Sequence, residues 1–134
     1  MTPEQTVRAF LEHLSRAESE AALALLDADV EWRNTAMPTF RGERVRQMIG
    51  DMERRGVGFE VRWHHVAATG EPDNGTVLTD RTDVLRYSGW ETSFRVRGTF
   101  TVQDGRITLW DDAFSWLELL GSGVAGLGKM LTSR

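Results

Sequence analysis

The sequence predicts an α+β fold in which helices come first and pack on one face of a curved antiparallel sheet built from the later part of the chain. Three observations predict it. Apolar residues recur at helical spacing in residues 7–14 and 45–52. From residue 58 onward, alternation of apolar and polar residues takes over. Short turn signals, Pro72-Asp73-Asn74-Gly75, Ser88-Gly89 and Asp104-Gly105, separate the alternating runs, and connections that short join antiparallel neighbours. No repeat or linker divides the chain, so residues 1–134 are read as one domain, long enough to bury a core.

Each element has a local cause. Thr2-Pro3-Glu4-Gln5 offers an N-cap threonine, a first-turn proline and a glutamine three residues after the cap, and Val7, Phe10, Leu11 and Leu14 then mark one helical face. Residues 19–26, rich in alanine and leucine, predict a second short helix. "DVEWRNT" alternates, with Val30, Trp32 and Asn34 on one side and Glu31 and Arg33 on the other. A third helix is predicted over residues 42–55, with Val45, Met48, Ile49 and Met52 on one face. Four strands follow, over residues 58–68, 76–87, 91–103 and 106–114. The tail, residues 116–134, is apolar and glycine-rich and reads as a broken helix.

Bulk properties exclude several function classes. With 20 acidic against 16 basic residues the formal charge is −4, which argues against a general nucleic-acid or anionic-membrane surface. There is no cysteine, hence no disulfide, thiol nucleophile or thiolate metal site. The start, Met1-Thr2-Pro3-Glu4, lacks the pattern of a signal peptide, and no stretch reaches the roughly 20 apolar residues of a membrane span. A soluble, cytoplasmic protein is expected.

In "VLTDRTDVL" the alternation turns Arg81 and Asp83 to the same side as Val77, Thr79 and Leu85. On the last strand Asp112 shares a face with Trp110 and Phe114, while Asp111 points the other way. Asn34 shares its side with Val30 and Trp32. Asn34, Arg81, Asp83 and Asp112 are therefore expected inside. Burying one ionised carboxylate alone is costly, but an arginine between two carboxylates can bond both. Such a triad can be purely structural, a buried ion-pair network that fixes strand register. It also pushes the two acid pKa values apart, which places a protonated acid beside an ionised base. That pair suits the opening of a strained ether: one carboxyl protonates the leaving oxygen, and the other takes a proton from attacking water held by an amide such as Asn34.

The stretches "EWRNTAMP", "VLTDRTDVL" and "GTFTVQDGRITLWDDAF" resemble those of the limonene-1,2-epoxide hydrolase family, over most of the chain from the first helix to about Phe114. The R-x-D motif on one strand and W-x-D on the last carry the resemblance. It implies the cone-shaped, NTF2-like (SnoaL-like, cystatin-like) α+β fold shared with nuclear transport factor 2 and ketosteroid isomerase. In that fold a curved, mixed, mostly antiparallel sheet carries three to four helices on its concave side. It implies that Arg81 bridges the acids, Asp83 protonates the epoxide oxygen, Asp112 activates water and Asn34 holds it. The family's water-holding tyrosine falls at Trp32, whose indole N–H can donate to a water oxygen but cannot accept from it. The implied function is cofactor-independent, metal-free addition of water to an apolar epoxide, giving a vicinal diol in one step, in a homodimer. Two alternatives stand beside it: an epoxide-opening cyclase of polyether type, in which a substrate hydroxyl attacks, and a non-catalytic module whose pocket holds an apolar ligand.

Other signals carry less. "GSGVAG", residues 121–126, matches a dinucleotide-binding pattern but has no βαβ unit around it. His64 and His65, adjacent on a strand, are expected to face opposite sides, and His13, on the first helix, to be a surface or helix-packing residue rather than a ligand. Asn74-Gly75-Thr76 fits a glycosylation sequon and reads as a hairpin turn. Trp63, Trp90 and Trp116 read as core, pocket wall or dimer contact, and Asp80 and Asp111 as outer-face residues. The glycines and leucines of the tail are expected to line or close the pocket mouth.

Overall fold

A computed structural model describes residues 1–123. The elements in chain order are α1 (Pro3–Ser15), α2 (Ser19–Leu23), β1 (Leu26–Asn34), β2 (Phe40–Arg41), α3 (Glu43–Arg54), β3 (Gly58–Glu71), β4 (Asn74–Tyr87), β5 (Trp90–Gln103) and β6 (Arg106–Phe114). A further helix, α4, covers residues 116–123. The strands form one curved, open sheet in the order β2-β1-β6-β5-β4-β3. β1 runs parallel to β6, and the other pairings are antiparallel. The sheet is thus mixed and mostly antiparallel, as expected.

α1 starts where the sequence places it. Thr2 Oγ1 accepts from Gln5 N at 3.2 Å while Thr2 N donates to Gln5 Oε1 at 2.9 Å, so two otherwise unpaired donors are satisfied reciprocally. Its Val7, Phe10 and Leu11 are fully buried against Val77, Phe100, Val102, Ile107 and Trp110 of the sheet. Ala22 of α2 and Val45 and Ile49 of α3 complete this core. Arg8 lays its guanidinium over the Trp63 ring at 4.9 Å. The Ser88-Gly89 and Asp104-Gly105 hairpins form as predicted, with positive φ at both central residues of each, 50° and 85° in the first and 51° and 76° in the second.

Four expectations are corrected. α2 stops at Leu23, and Leu26 opens β1, where it pairs with Ile107 and is buried; tertiary pairing overrides the helix preference of alanine and leucine. β2 has only two residues, too few to show a period, and was not expected. The β3–β4 turn is Pro72-Asp73, with Asp73 at φ 67°, so Asn74 and Gly75 belong to β4 and not to the turn. Gly75 is needed for close approach, since a Cβ there would meet Thr69 O. A bulge between Trp63 and His65 breaks the alternation: His64 Nε2 meets Thr82 Oγ1 at 2.7 Å and His65 pairs with Asp80, so both histidines take the outer face.

β6 pairs with β5 only from Val96 to Gln103, which leaves the preceding edge of β5 open. α4 closes it. Ser122 Oγ accepts from Ser93 N at 3.0 Å and Glu118 Oε1 from Arg95 N at 2.9 Å; Thr92 Oγ1 and Trp90 Nε1 donate to Leu119 O and Gly123 O. The first part of the tail is therefore helical. Residues 124–134, and with them the end of the "GSGVAG" stretch, lie outside the described residues.

Candidate active site

The inner face of the sheet assembles a charged triad on its apolar floor. β4 presents Arg81 and Asp83, and β6 presents Asp112. Arg81 is 0 % exposed, and both aspartates are 6 % exposed. Arg81 Nε donates to Asp83 Oδ1 at 2.9 Å and Nη2 to Asp83 Oδ2 at 3.2 Å. Nη2 also donates to Asp112 Oδ2 at 2.7 Å. One guanidinium thus spaces two carboxyls, as the alternation predicted. Asp80, one residue away, pairs instead with Arg95 on the outer face at 2.6 and 2.8 Å.

Register brings the first strand to the last. The parallel β1–β6 pairing sets Asn34 opposite Asp112 and Trp32 opposite Trp110. Asn34 and Trp32 are half-buried, and both border the cavity described below. Trp32 stacks on Trp110 with centroids 4.2 Å apart and planes at 11°, and its Nε1 is buried with no hydrogen-bond partner among the described residues.

Three participants escaped the sequence reading. Thr79 Oγ1 accepts from Arg81 Nη1 at 2.8 Å and donates to Gly98 O at 3.2 Å, which satisfies the last face of the guanidinium. Trp110 Nε1 donates to Asp112 Oδ2 at 2.9 Å. Gly98, in mid-strand opposite Asp112, makes the room: a Cβ there would lie 2.5 Å from Arg81 Nη1 and 2.6 Å from Asp112 Oδ1. A glycine inside a strand and a threonine two residues before the arginine were the available signals.

Electrostatics acts strongly on two of the members. Burial raises the Asp83 pKa from 3.8 to about 6; the attraction of Arg81 opposes this only in part, and the charge of Asp112 adds to the rise. Burial lowers the Arg81 pKa, but Asp112 and Asp83 outweigh it and hold the value above the ordinary one. Above the triad opens a cavity of about 520 Å³, walled by apolar groups such as Met48, Ile49, Phe59 and Phe94. Trp116 and Leu119 of α4 line it as well, as expected of the tail. Asp83, Asp112 and Asn34 are its inward polar groups, with Ser19 and Glu53 also bordering it. Among the described residues no group of three His, Asp or Glu side chains could hold a metal ion, and no helix is long and apolar enough to cross a membrane.

The profile of the limonene-1,2-epoxide hydrolase catalytic domain matches residues 1–124. The chain is 37 % identical over 122 residues to epoxide hydrolase EphG of Mycobacterium tuberculosis, covering 90 % of this chain and 78 % of that protein. The structure of an epoxide hydrolase of the same family type from M. tuberculosis superposes with a TM-score of 0.88 at 34 % identity, over 97 % of this chain and 95 % of that one. A protein with a ketosteroid isomerase-like fold from Catenulispora acidiphila gives 0.73 at 18 % identity, over 92 % and 95 %, a likeness of fold alone. By profile, identity and superposition together, the chain belongs to the limonene-1,2-epoxide hydrolase family and is an enzyme of the epoxide hydrolase type.

Proposed function

We propose that the protein adds water to an apolar epoxide in one step to give a vicinal diol, with Asp112 as base, Asp83 as acid and Arg81 as the bridge between them. The observation that carries the reading is a fully buried arginine holding two carboxyls at the floor of an apolar cavity, one of them with its pKa raised to about 6. Water bound between Asp112 and Asn34 gives a proton to Asp112 as its oxygen attacks an epoxide carbon. The carbon–oxygen bond of the ring breaks, and the departing oxygen takes the proton of Asp83. One proton is gained and one is lost, so exchange with solvent after product release restores the starting state. Arg81 stays charged and keeps the carboxyls apart. The apolar walls supply affinity for a hydrocarbon body without dictating its orientation through hydrogen bonds.

Trp32 can donate to the attacking water but cannot accept from it, which leaves the proton a path to Asp112. Asn34 beside Asp112 can hold either a water or a substrate hydroxyl, so the identity of the nucleophile is decided by the product. The test is incubation with terpene, cyclic and steroid-like epoxides, followed by diol analysis and by a single turnover in ¹⁸O-labelled water. Direct attack puts the label into the first diol formed. Unlabelled first-turnover diol means that a carboxyl oxygen of the enzyme was transferred, and the one-step mechanism then fails.

A further inference from the structure

We propose that Trp110 is a positioning residue for the base: its indole N–H holds the carboxyl of Asp112 in the orientation that accepts the proton of water. The inference rests on Asp112 being the base. Asp112 Oδ2 receives two donors, Arg81 Nη2 at 2.7 Å and Trp110 Nε1 at 2.9 Å, which together use its two lone pairs. Oδ1 has no partner among the described residues. The acceptor capacity left on the carboxyl therefore resides on Oδ1, and the two donors to Oδ2 determine where Oδ1 points.

Arg81 alone does not fix that carboxyl. Nη2 is a single donor to Asp112, and the guanidinium is already committed to Asp83 through Nε and Nη2 and to Thr79 through Nη1. One hydrogen bond leaves the carboxyl free to turn about it, whereas a second donor from another direction locks the plane. The indole is a rigid donor because its ring is clamped. Phe10 meets it edge-on at 5.0 Å and 81°, and Trp32 covers its face at 4.2 Å. Trp110 is 5 % exposed, so water does not compete for its N–H. A donor held in advance orients the carboxyl before the proton moves and touches no substrate atom, so its loss is expected in kcat rather than in KM.

The experiment replaces Trp110 with 3-benzothienylalanine, which keeps the bicyclic shape and stacking but puts sulfur where the N–H was. Trp110→Phe is the genetic companion. The same isostere at Trp63, which packs under Arg8 away from the cavity, controls for the replacement itself. Asp112→Asn is assayed alongside with the same epoxide, and kcat is taken per folded molecule, below the melting temperature. The expected result at Trp110 is a fall in kcat of roughly 10- to 100-fold, the range of one hydrogen bond to a charged acceptor, with KM within about twofold of the parent. Trp110→Phe falls at least as far, and the Trp63 isostere keeps parent rates. Parent kcat in the Trp110 isostere overturns the proposal, as does a change confined to KM or an equal loss at Trp63. If Asp112→Asn itself retains the parent rate, the base assignment falls and takes this inference with it. An inactive Asp112→Asn beside a fully active isostere removes this inference alone.

Discussion

Asp83 binds its proton more tightly in the folded protein than in the unfolded chain, so stability and rate acquire a pH dependence from one cause. The folded state gains from that proton below the ordinary value of 3.8 and loses the gain as pH rises through about 6. Chemical denaturation across this window should show parent stability falling with pH, less steeply in Asp83→Asn. If the proton of Asp83 is the one delivered to the opening oxygen, kcat/KM falls roughly tenfold per pH unit on the alkaline side of that midpoint. A rate that climbs through that range excludes Asp83 as the acid. Asp112→Asn should lower the rate by roughly 10²- to 10⁴-fold, whereas Asp111→Asn should leave it nearly unchanged. Removing one charge from a buried triad is also destabilising, so melting curves accompany both assays. Arg81, Asp83 and Asp112 were legible because a strand turns every second side chain inward, and charges at such positions need each other. Gly98 showed in the sequence only as a glycine inside a strand: what its missing side chain makes room for appears only when two strands are laid side by side. Gly98→Ala should abolish activity or folding, since its Cβ would fall inside the contact distance of both Arg81 and Asp112.

At the scale of elements, α1, α3 and the longer strands followed from period, caps and turn residues. The departures were local contests won by tertiary pairing. Leu26 left a helix-favouring stretch for β1, and Asn74-Gly75, a strong turn pair on its own, yielded to Pro72-Asp73 two residues earlier. The bulge at His64 marks where strict alternation fails as a guide, because one extra residue returns the next side chain to the face it would have left. α4 could be read as apolar and set at the pocket mouth, but its hydrogen bonds to the open edge of β5 could not be foreseen. Its Trp116 donates to Thr35 O at 2.7 Å and borders the cavity, so it joins the first strand's end to the pocket wall. Trp116→Ala removes an apolar wall of the cavity without touching a hydrogen bond of the triad. KM should rise by roughly 5- to 30-fold with kcat little changed. A fall in kcat at constant KM would mean instead that α4 shapes the acid–base geometry.

For the whole molecule, we propose a homodimer that pairs through the outer face of the sheet, where Asp80–Arg95 and the Glu60–Arg86–Glu91 ion pairs lie. Light scattering at micromolar concentration should give twice the chain mass, and a monomeric mass rejects it. Chelation by EDTA should leave the rate unchanged, because the proposed chemistry uses only carboxyls, an arginine and water; activity lost and then restored by a divalent ion sinks the mechanism. The parallel joining of β1 to β6 has a consequence for how the protein comes into being. Asn34 emerges from the ribosome early and Asp112 late, and they meet only when the last strand slots between β1 and β5. Until then Arg81 has one carboxylate partner where the finished interior supplies two. A nascent chain that lacks β6 thus lacks both the proposed base and the second counter-charge of the fully buried Arg81, and it acquires them in the same event that completes the sheet.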